Sequence, residues 1–418
     1  MDKYSTYKDS GFIWMGKIPS HWSLLKSKFL WRESFNTSAT GTEDLLSVSQ
    51  YDGVTPANGS RSESLIGYKV VEENNLVINI MLAWMGGFGV SAYNGLVSPA
   101  YCVYKLQGDN NPKYMHYLYK TPMCLAEFAR HSTGVIPSRW RMYTNDFGQI
   151  LTLIPPRMEQ DAIVAYLDAA TAKIDEAIAQ QQRMIDLLNE RKRIILANAV
   201  ARGISEVESV KDSGVSYLGF IPNNWSVIAL NYLGSYSKKT VDPSELPNTE
   251  LLEYSMPAFD NGRVPHTVNS KDLDSAKTRL SESTLLINKL NVHKERIWFV
   301  ENPSENSVAS TEFIPIRIHS ANPKFIEYAL QNHRITSYLI ANSNGATNSQ
   351  KRVSPNTILG LKLAMPSIDE QERIVKYLDG VYEPFKKAVD ACQSVVASLQ
   401  ERKQIIINDV VTGKVKVF

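Results

Sequence analysis

Cysteine is scarce: Cys102, Cys124 and Cys392 are the only three in 418 residues, and no CxxC pair occurs. That spacing argues against a disulfide framework and against a thiolate zinc site, and it fits a reducing, cytoplasmic setting. No run of 18 apolar residues is present, and the opening MDKYSTYKDSGF has no apolar core of an export signal. A soluble, unexported chain is expected. Charge of one sign is also missing in excess, since 45 Lys+Arg face 43 Asp+Glu. A nucleic-acid binder of this composition must concentrate its positive charge locally.

Catalytic signatures are missing as well. There is no GxxxxGK[ST] phosphate loop, and the Gly cluster GGFGV at 86–90 reads as a turn. No Asp/Asn-Pro-Pro-aromatic motif of an amino-methyltransferase is found, and without a single Pro-Asp dipeptide there is no Pro-Asp…Glu-x-Lys nuclease cluster. The seven histidines form no HExxH and no close pair; His131 alone falls in a notable loop, where packing or solvation is the expected role. These absences predict a chain that carries out no chemistry and binds no metal or cofactor of its own.

What is present is written twice. Trp14, Gly16, Ile18, Pro19 and Trp22 recur as Tyr217, Gly219, Ile221, Pro222 and Trp225, 203 residues later. IPPRMEQDAIVAYLD from Ile154 answers MPSIDEQERIVKYLD from Met365, pairing Glu159-Gln160 with Glu370-Gln371 at an offset of 211. The same offset pairs Arg191-Lys192 with Arg402-Lys403, and Pro112-Lys113 with Pro323-Lys324. A tandem duplication follows.

After each Glu-Gln pair the apolar spacing is that of a heptad. Leu167, Ala170, Ile174, Ala177, Gln181, Met184, Leu188, Arg191 and Ile195 step by three and four, as do Leu378, Val381, Phe385, Ala388, Cys392, Val395, Leu399, Arg402 and Ile406. Two long helices are predicted, pairing antiparallel as a coiled coil, with each helix packed only on its own domain as the plainer alternative. Such a 28-residue seam is about 42 Å long at about 1.5 Å per residue. Gly203 and Gly413 suit C-caps, and Pro384 should kink or restart the second helix. Apolar residues off the seam, Ile163, Ile178 and Ile194 with Ile374, Val389 and Ile405, are candidates to face a partner subunit.

The intervening stretches mix strand and helix signals. NNLVINI, GLVSPAYCVYKL, STLLINKL and ERIWFV read as strands. PKYMHYLYKTPMCLAEFARH and PKFIEYALQNHRITSYLIAN each read as one helix with proline in the first turn. The fold class is therefore α/β (α+β) globular domains alternating with long helices, as two pseudo-symmetric repeats. The segments are 1–154, a first recognition domain; 155–205, a helical region; 206–364, a second recognition domain; and 365–418, a second helical region.

Each domain ends in a Gly-containing basic loop. The first offers Arg130, Ser132, Thr133, Gly134, Arg139 and Arg141, and the second Gly345, Asn348, Gln350, Lys351 and Arg352. Hydroxyls and backbone N–H groups hold phosphate oxygens, whereas Asn, Gln and Arg read base edges. Arg139 aligns with Gln350, a change that alters base preference if the position meets a base and not the backbone. A solvated surface loop is the bland alternative, and recurrence at one offset favours DNA binding over it.

The duplicated order of G-x-IP-x-x-W openings, Pro155 and Pro366 with their Glu-Gln pairs, and late Glu-Arg-Lys segments resembles the specificity (S) subunit of type I restriction-modification systems along essentially the whole chain. The resemblance implies a non-catalytic reader of double-stranded DNA with a bipartite, asymmetric site, one half per domain, in a prokaryotic cytoplasm. It implies helices that set the gap and dock two methyltransferase subunits, which in turn recruit restriction subunits. S-adenosylmethionine, ATP and Mg would be used by those partners. A coiled-coil scaffold that binds no DNA, and an enzyme with unfamiliar motifs, are the competing readings.

Overall fold

The structure, a computed structural model, describes residues 2–51, 53–57, 64–136, 139–205, 209–236, 239–242, 245, 248–345 and 351–418. It forms two compact units, the first discontinuous in sequence, Met1–Gln182 with Ser394–Phe418, and the second continuous, Arg183–Gln393. Each holds one globular domain and parts of both long helices, Arg157–Arg202 and Ile368–Val411.

The alternating apolar stretches become strands where expected. In the first unit a four-stranded antiparallel sheet runs in the order Trp31–Ser34, Tyr101–Leu106, Leu76–Asn79, Phe88–Val90. The second unit repeats that order with Gly234–Tyr236, Phe313–Ile318, Thr284–Asn288 and Ile297–Val300. Two small ladders repeat as well, Tyr7–Asp9 with Lys17–Pro19 as Val210–Asp212 with Phe220–Pro222, and Ser23–Lys26 with Leu151–Ile154 as Ser226–Ala229 with Lys362–Met365, and beyond these the units diverge. The second unit has a five-stranded sheet with its own apolar cluster around Tyr254, Leu286, Trp298 and Phe313. In its place the first has, among the described residues, two-stranded ladders, Leu46–Ser49 with Gly53–Pro56 and Lys69–Val71 with Gly95–Val97. The GGFGV turn holds at Gly86, and Phe88–Val90 then continues as an edge strand.

Both stretches read as one helix are two. Pro112–Tyr119 gives way to Pro122–Arg130, and Pro323–Leu330 to His333–Ala341. The break follows from capping: the Thr121 hydroxyl accepts from Cys124 N, and the Asn332 side chain from Arg334 N, so each starts a new helix.

The repeated motifs are one lock built twice. In the first unit Trp22 is fully buried and its indole Nε1 donates to Glu159 Oε2 at 2.9 Å; in the second, Trp225 donates to Glu370 Oε2 at 3.2 Å. The neighbouring glutamines strap helix to domain. Gln160 Nε2 donates to Pro155 O and its Oε1 accepts from Asn111 N, while Gln371 does the same with Pro366 O and Asn322 N. Asn111 and Asn322 are themselves N-caps of the helices at Pro112 and Pro323. Buried amides with both ends satisfied fix a single geometry.

The far end of the other helix completes each lock. Gly413 adopts φ +74°, and a Cβ there would lie 2.5 Å from Pro19 Cδ and 3.0 Å from Trp22. Gly203, at φ +81°, would meet Glu370 Oε1 at 3.0 Å and Trp225 at 3.4 Å. Glycine is required at both places by the left-handed cap and by the close approach. The cores repeat accordingly: Ile163, Val164 and Leu167 join Ile407, Val410 and Val411 in the first unit. Ile374, Val375 and Leu378 join Leu196, Ala199 and Val200 in the second. Helix start meets helix end within each unit, so the pairing there is antiparallel. Lys403 Nζ adds a bond of 2.7 Å to each Asp175 oxygen in the first unit, and Lys192 Nζ sits 4.2 Å over the Tyr382 ring in the second.

The buried stripe departs from the heptad seam. Leu167, Thr171, Ile174, Ile185, Leu196 and Ala199 are buried, whereas Met184 and Arg191 face solvent. The second helix repeats the departure, with Val395 and Arg402 exposed and Val396 and Ile407 turned inward. The cause is the true helical period: an α-helix turns every 3.6 residues, so a strict 3.5 spacing drifts about 20° per heptad until the next residue takes over. Ile163, Ile174, Ile185 and Leu196, eleven residues apart, mark the stripe. Of the remaining seam positions, Leu188, Ile195, Phe385, Leu399 and Ile406 are half-buried and Leu378 is buried.

Two further expectations are corrected. Ile163 and Ile374 are fully buried in their own unit's core and cannot face a partner, because the first two turns of each helix pack into its domain. The second helix also runs unbroken through Pro384. The hydrogen bond that proline forfeits would end on the carbonyl of Gly380, at an exposed position where water can replace it.

Candidate nucleic-acid interface

Both basic loops are closed by the same device. Thr133 and Arg141 exchange backbone bonds (Thr133 N to Arg141 O, 2.9 Å; Arg141 N to Thr133 O, 2.8 Å). Asn344 and Arg352, each 211 residues further on, exchange theirs at 2.9 and 2.8 Å. The preceding helix is finished alike in the two units: Ser132 Oγ donates to Phe128 O at 2.8 Å, and Ser343 Oγ to Ile340 O at 2.7 Å. The next residue ties the loop to the turn after the central strand, through Met142 N to Ile80 O and Val353 N to Lys289 O. That turn is organised by a buried asparagine, Asn79 Oδ1 accepting from Met81 N and Asn288 Oδ1 from Leu290 N. The duplicated scaffold thus presents two nine-residue loops, 133–141 and 344–352, in equivalent local settings.

The side chains differ. In the first loop Gly134 packs so closely that a Cβ would lie 2.5 Å from Arg139 O. Arg139 is exposed and Arg141 half-buried, donating from Nη1 to Trp140 O, and neither has an acidic partner among the described residues. Trp140 meets Trp84 of the adjoining turn edge-on, ring centroids 5.4 Å apart. Thr133 sits in the closing bridge, whereas Ser132 is buried and bonded to its helix. Arg130 belongs to the helix side: its guanidinium donates to both oxygens of Glu127 at 2.9 and 2.7 Å. His131 packs there too, accepting from Arg130 Nη2, and burial together with the Arg130 charge lowers its pKa against the pull of Glu127.

In the second loop Arg352 is engaged by Glu312, donating from Nη2 to Oε1 at 2.8 Å and from Nε to Oε2 at 3.3 Å. Lys351 is half-buried with its carbonyl accepting from Asn291 N, and Gly345 is exposed. Asn348 and Gln350 lie outside the described residues. Arg141 and Arg352 thus occupy one position of the scaffold, the first without a carboxylate and the second held by one. The sequence marked a turn at the glycine cluster but not its contact with the loop through Trp84 and Trp140. Among the described residues no group of three or more His, Cys, Asp or Glu is arranged to hold a metal. No helix there is long and apolar enough to cross a membrane.

No family model matches the chain. The StySPI specificity subunit of a type I restriction enzyme from Salmonella potsdam is 22% identical over 260 residues, 59% of this chain and 54% of that protein. The chain thus matches about half the length of that relative. The EcoDI specificity subunit from Escherichia coli is 20% identical over 329 residues, covering 72% of this chain and 70% of its own length. A chain from a solved structure, described as the basis of complex assembly and conformational transition of the type I R-M system, shares the fold. It superimposes with a TM-score of 0.66 at 14% identity, covering 94% of this chain and 98% of its own. In sequence over much of its length and in fold over nearly all of it, the chain is similar to known members of type I restriction systems, the sequence relatives being their specificity subunits, as the duplicated motifs imply.

Proposed function

We propose that the chain is the DNA sequence-recognition subunit of a type I restriction-modification complex, each unit reading one half of a bipartite, asymmetric site. The observation that carries this reading is the pair of identically closed loops, offset by 211 residues, on a common scaffold with different surroundings. Duplicated positioning with divergent side chains is what two unlike half-sites require, since backbone contacts place a reader and side chains specify the base. Arg139 and Arg141 are the phosphate or base contacts of the first half, and Lys351 and Arg352, with Asn348 and Gln350, those of the second. The long helices link the readers, set the gap and dock two methyltransferase subunits. Ile194 and Ile405 are each about half exposed and available for that contact, and Ile178 and Val389 are half-buried. Methyl transfer and cleavage, with S-adenosylmethionine, ATP and Mg, belong to the partner subunits in the prokaryotic cytoplasm.

Methylome sequencing of a host carrying this gene with its methyltransferase tests the proposal. One new bipartite motif is expected, and exchanging residues 1–154 for another reader should change one half only. Arg141→Ala and Arg352→Ala should each weaken specific binding by the reconstituted complex. An assembled complex that methylates no motif would instead support a scaffold.

A further inference from the structure

The end of the first unit that carries loop 133–141 is unusually apolar. Val135 is 96% exposed and Ile136 48%, and Met81 and Met85 of the turn to which the loop is tied are exposed as well. Folding gains little from the Val135 side chain. The ends of the loop that displays them are nevertheless anchored, by the Thr133–Arg141 bridge, the Gly134 contact and the Trp84–Trp140 pair. Lys120 Nζ draws the flanking turns together, donating to Gly86 O at 2.7 Å and Gln50 O at 3.4 Å. An exposed apolar patch on an anchored loop marks a contact surface. Its occupant is indicated by charge: Arg139, three residues beyond Ile136, has no acidic partner among the described residues. An apolar surface bordered by an unneutralised cation matches a groove in which a thymine C5-methyl lies beside phosphates.

We propose that Val135 and Ile136 read the C5-methyl group of a thymine in the half-site taken by the first unit, with Arg139 on a neighbouring phosphate. This rests on the DNA-reading function above and names the base feature that the loop selects. The two side chains are exposed, so their replacement leaves the fold intact, and Ala346 and Thr347 stand at the matching positions of the second loop.

The test uses the full chain assembled with its methyltransferase subunits and duplexes carrying the methylated motif, with each thymine replaced in turn by deoxyuridine, which lacks only the methyl group. For the unaltered complex, one substitution in one half-site should weaken binding about fourfold, the effect of losing one buried methyl group. The Val135→Ser, Ile136→Ser double variant should bind thymine and deoxyuridine duplexes alike at that position. Arg139→Gln should weaken both equally and lower the salt dependence by about one phosphate contact. Absence of any thymine-sensitive position, or full sensitivity retained in the double variant, overturns the proposal. Loss of the methyltransferase from the double variant with thymine sensitivity unchanged would make the patch a protein contact. If the unaltered complex shows no sequence-specific binding, the DNA-reading function has failed and this inference falls with it.

Discussion

The two units share a lock and differ in what the lock supports. In the first, Glu159 accepts from Trp22 and Tyr4 and lies 2.6 Å from His21 Nε2; in the second, Glu370 accepts from Trp225. The first domain carries small two-stranded ladders where the second has a five-stranded sheet, yet the shared four-stranded sheet and the loop closures coincide. Duplication has kept the Trp–Glu and glutamine contacts that hold the helices to the domains, while the sheets beside the shared one and the loop side chains differ.

The comparison is broken most directly at the tryptophans. Trp22→Ala and Trp225→Ala should each cost about 3–5 kcal/mol, as expected for emptying a fully buried aromatic site. Hydrogen exchange on the variants should show the loss confined to the unit that carries the change. Equal loss of protection in both units would mean that the locks are not independent.

Acid should separate the units by sign. His116 in the first unit aligns with Glu327 in the second; Glu327 is buried, and His116 is half-buried with Nδ1 accepting from Val90 N. Burial, reinforced by Lys120 and Lys113, lowers the His116 pKa from 6.5 to about 4. Its stabilising contribution is therefore complete above pH 6.5 and is lost as pH falls toward 4, by up to about 3 kcal/mol at 1.36 kcal/mol per unit. Burial raises the Glu327 pKa above 4.5 despite the Arg263 guanidinium 2.9 Å away. Its contribution is complete below pH 4.5 and is lost as pH rises through the raised value. Denaturation between pH 7 and 4, followed by unit-resolved hydrogen exchange, should show the first unit weakening, and His116→Gln should flatten that trend.

The glycine caps should show the smallest difference. Gly413→Ala and Gly203→Ala both force alanine into a left-handed conformation, costing about 1–2 kcal/mol. Gly413→Ala should cost more, because its Cβ meets the proline ring at 2.5 Å, whereas at Gly203 the nearest atom is the movable end of Glu370. Thermal unfolding of the two variants ranks them; the reverse order would show that the Pro19 contact relaxes easily.

The chain's own order of residues determined its duplication, its sheet-forming stretches, its two long helices and the identity of the lock. Those features are local or recur at a fixed offset, so Glu159-Gln160 and Glu370-Gln371 were visible before their partners were known. Tertiary structure alone decided which atoms they bind. It set Trp22 between Glu159 and Gly413, residues 137 and 391 positions away in sequence, and it made Ile163 core rather than surface. It also chose Ile185 over Met184 for the buried stripe, because the α-helical period and not the apolar spacing sets which side turns inward. Arg141 and Arg352 illustrate the same limit: they align in sequence, but only the fold brings Glu312 to one of them. Pairing across such distances depends on closure of the whole chain, which no short segment encodes.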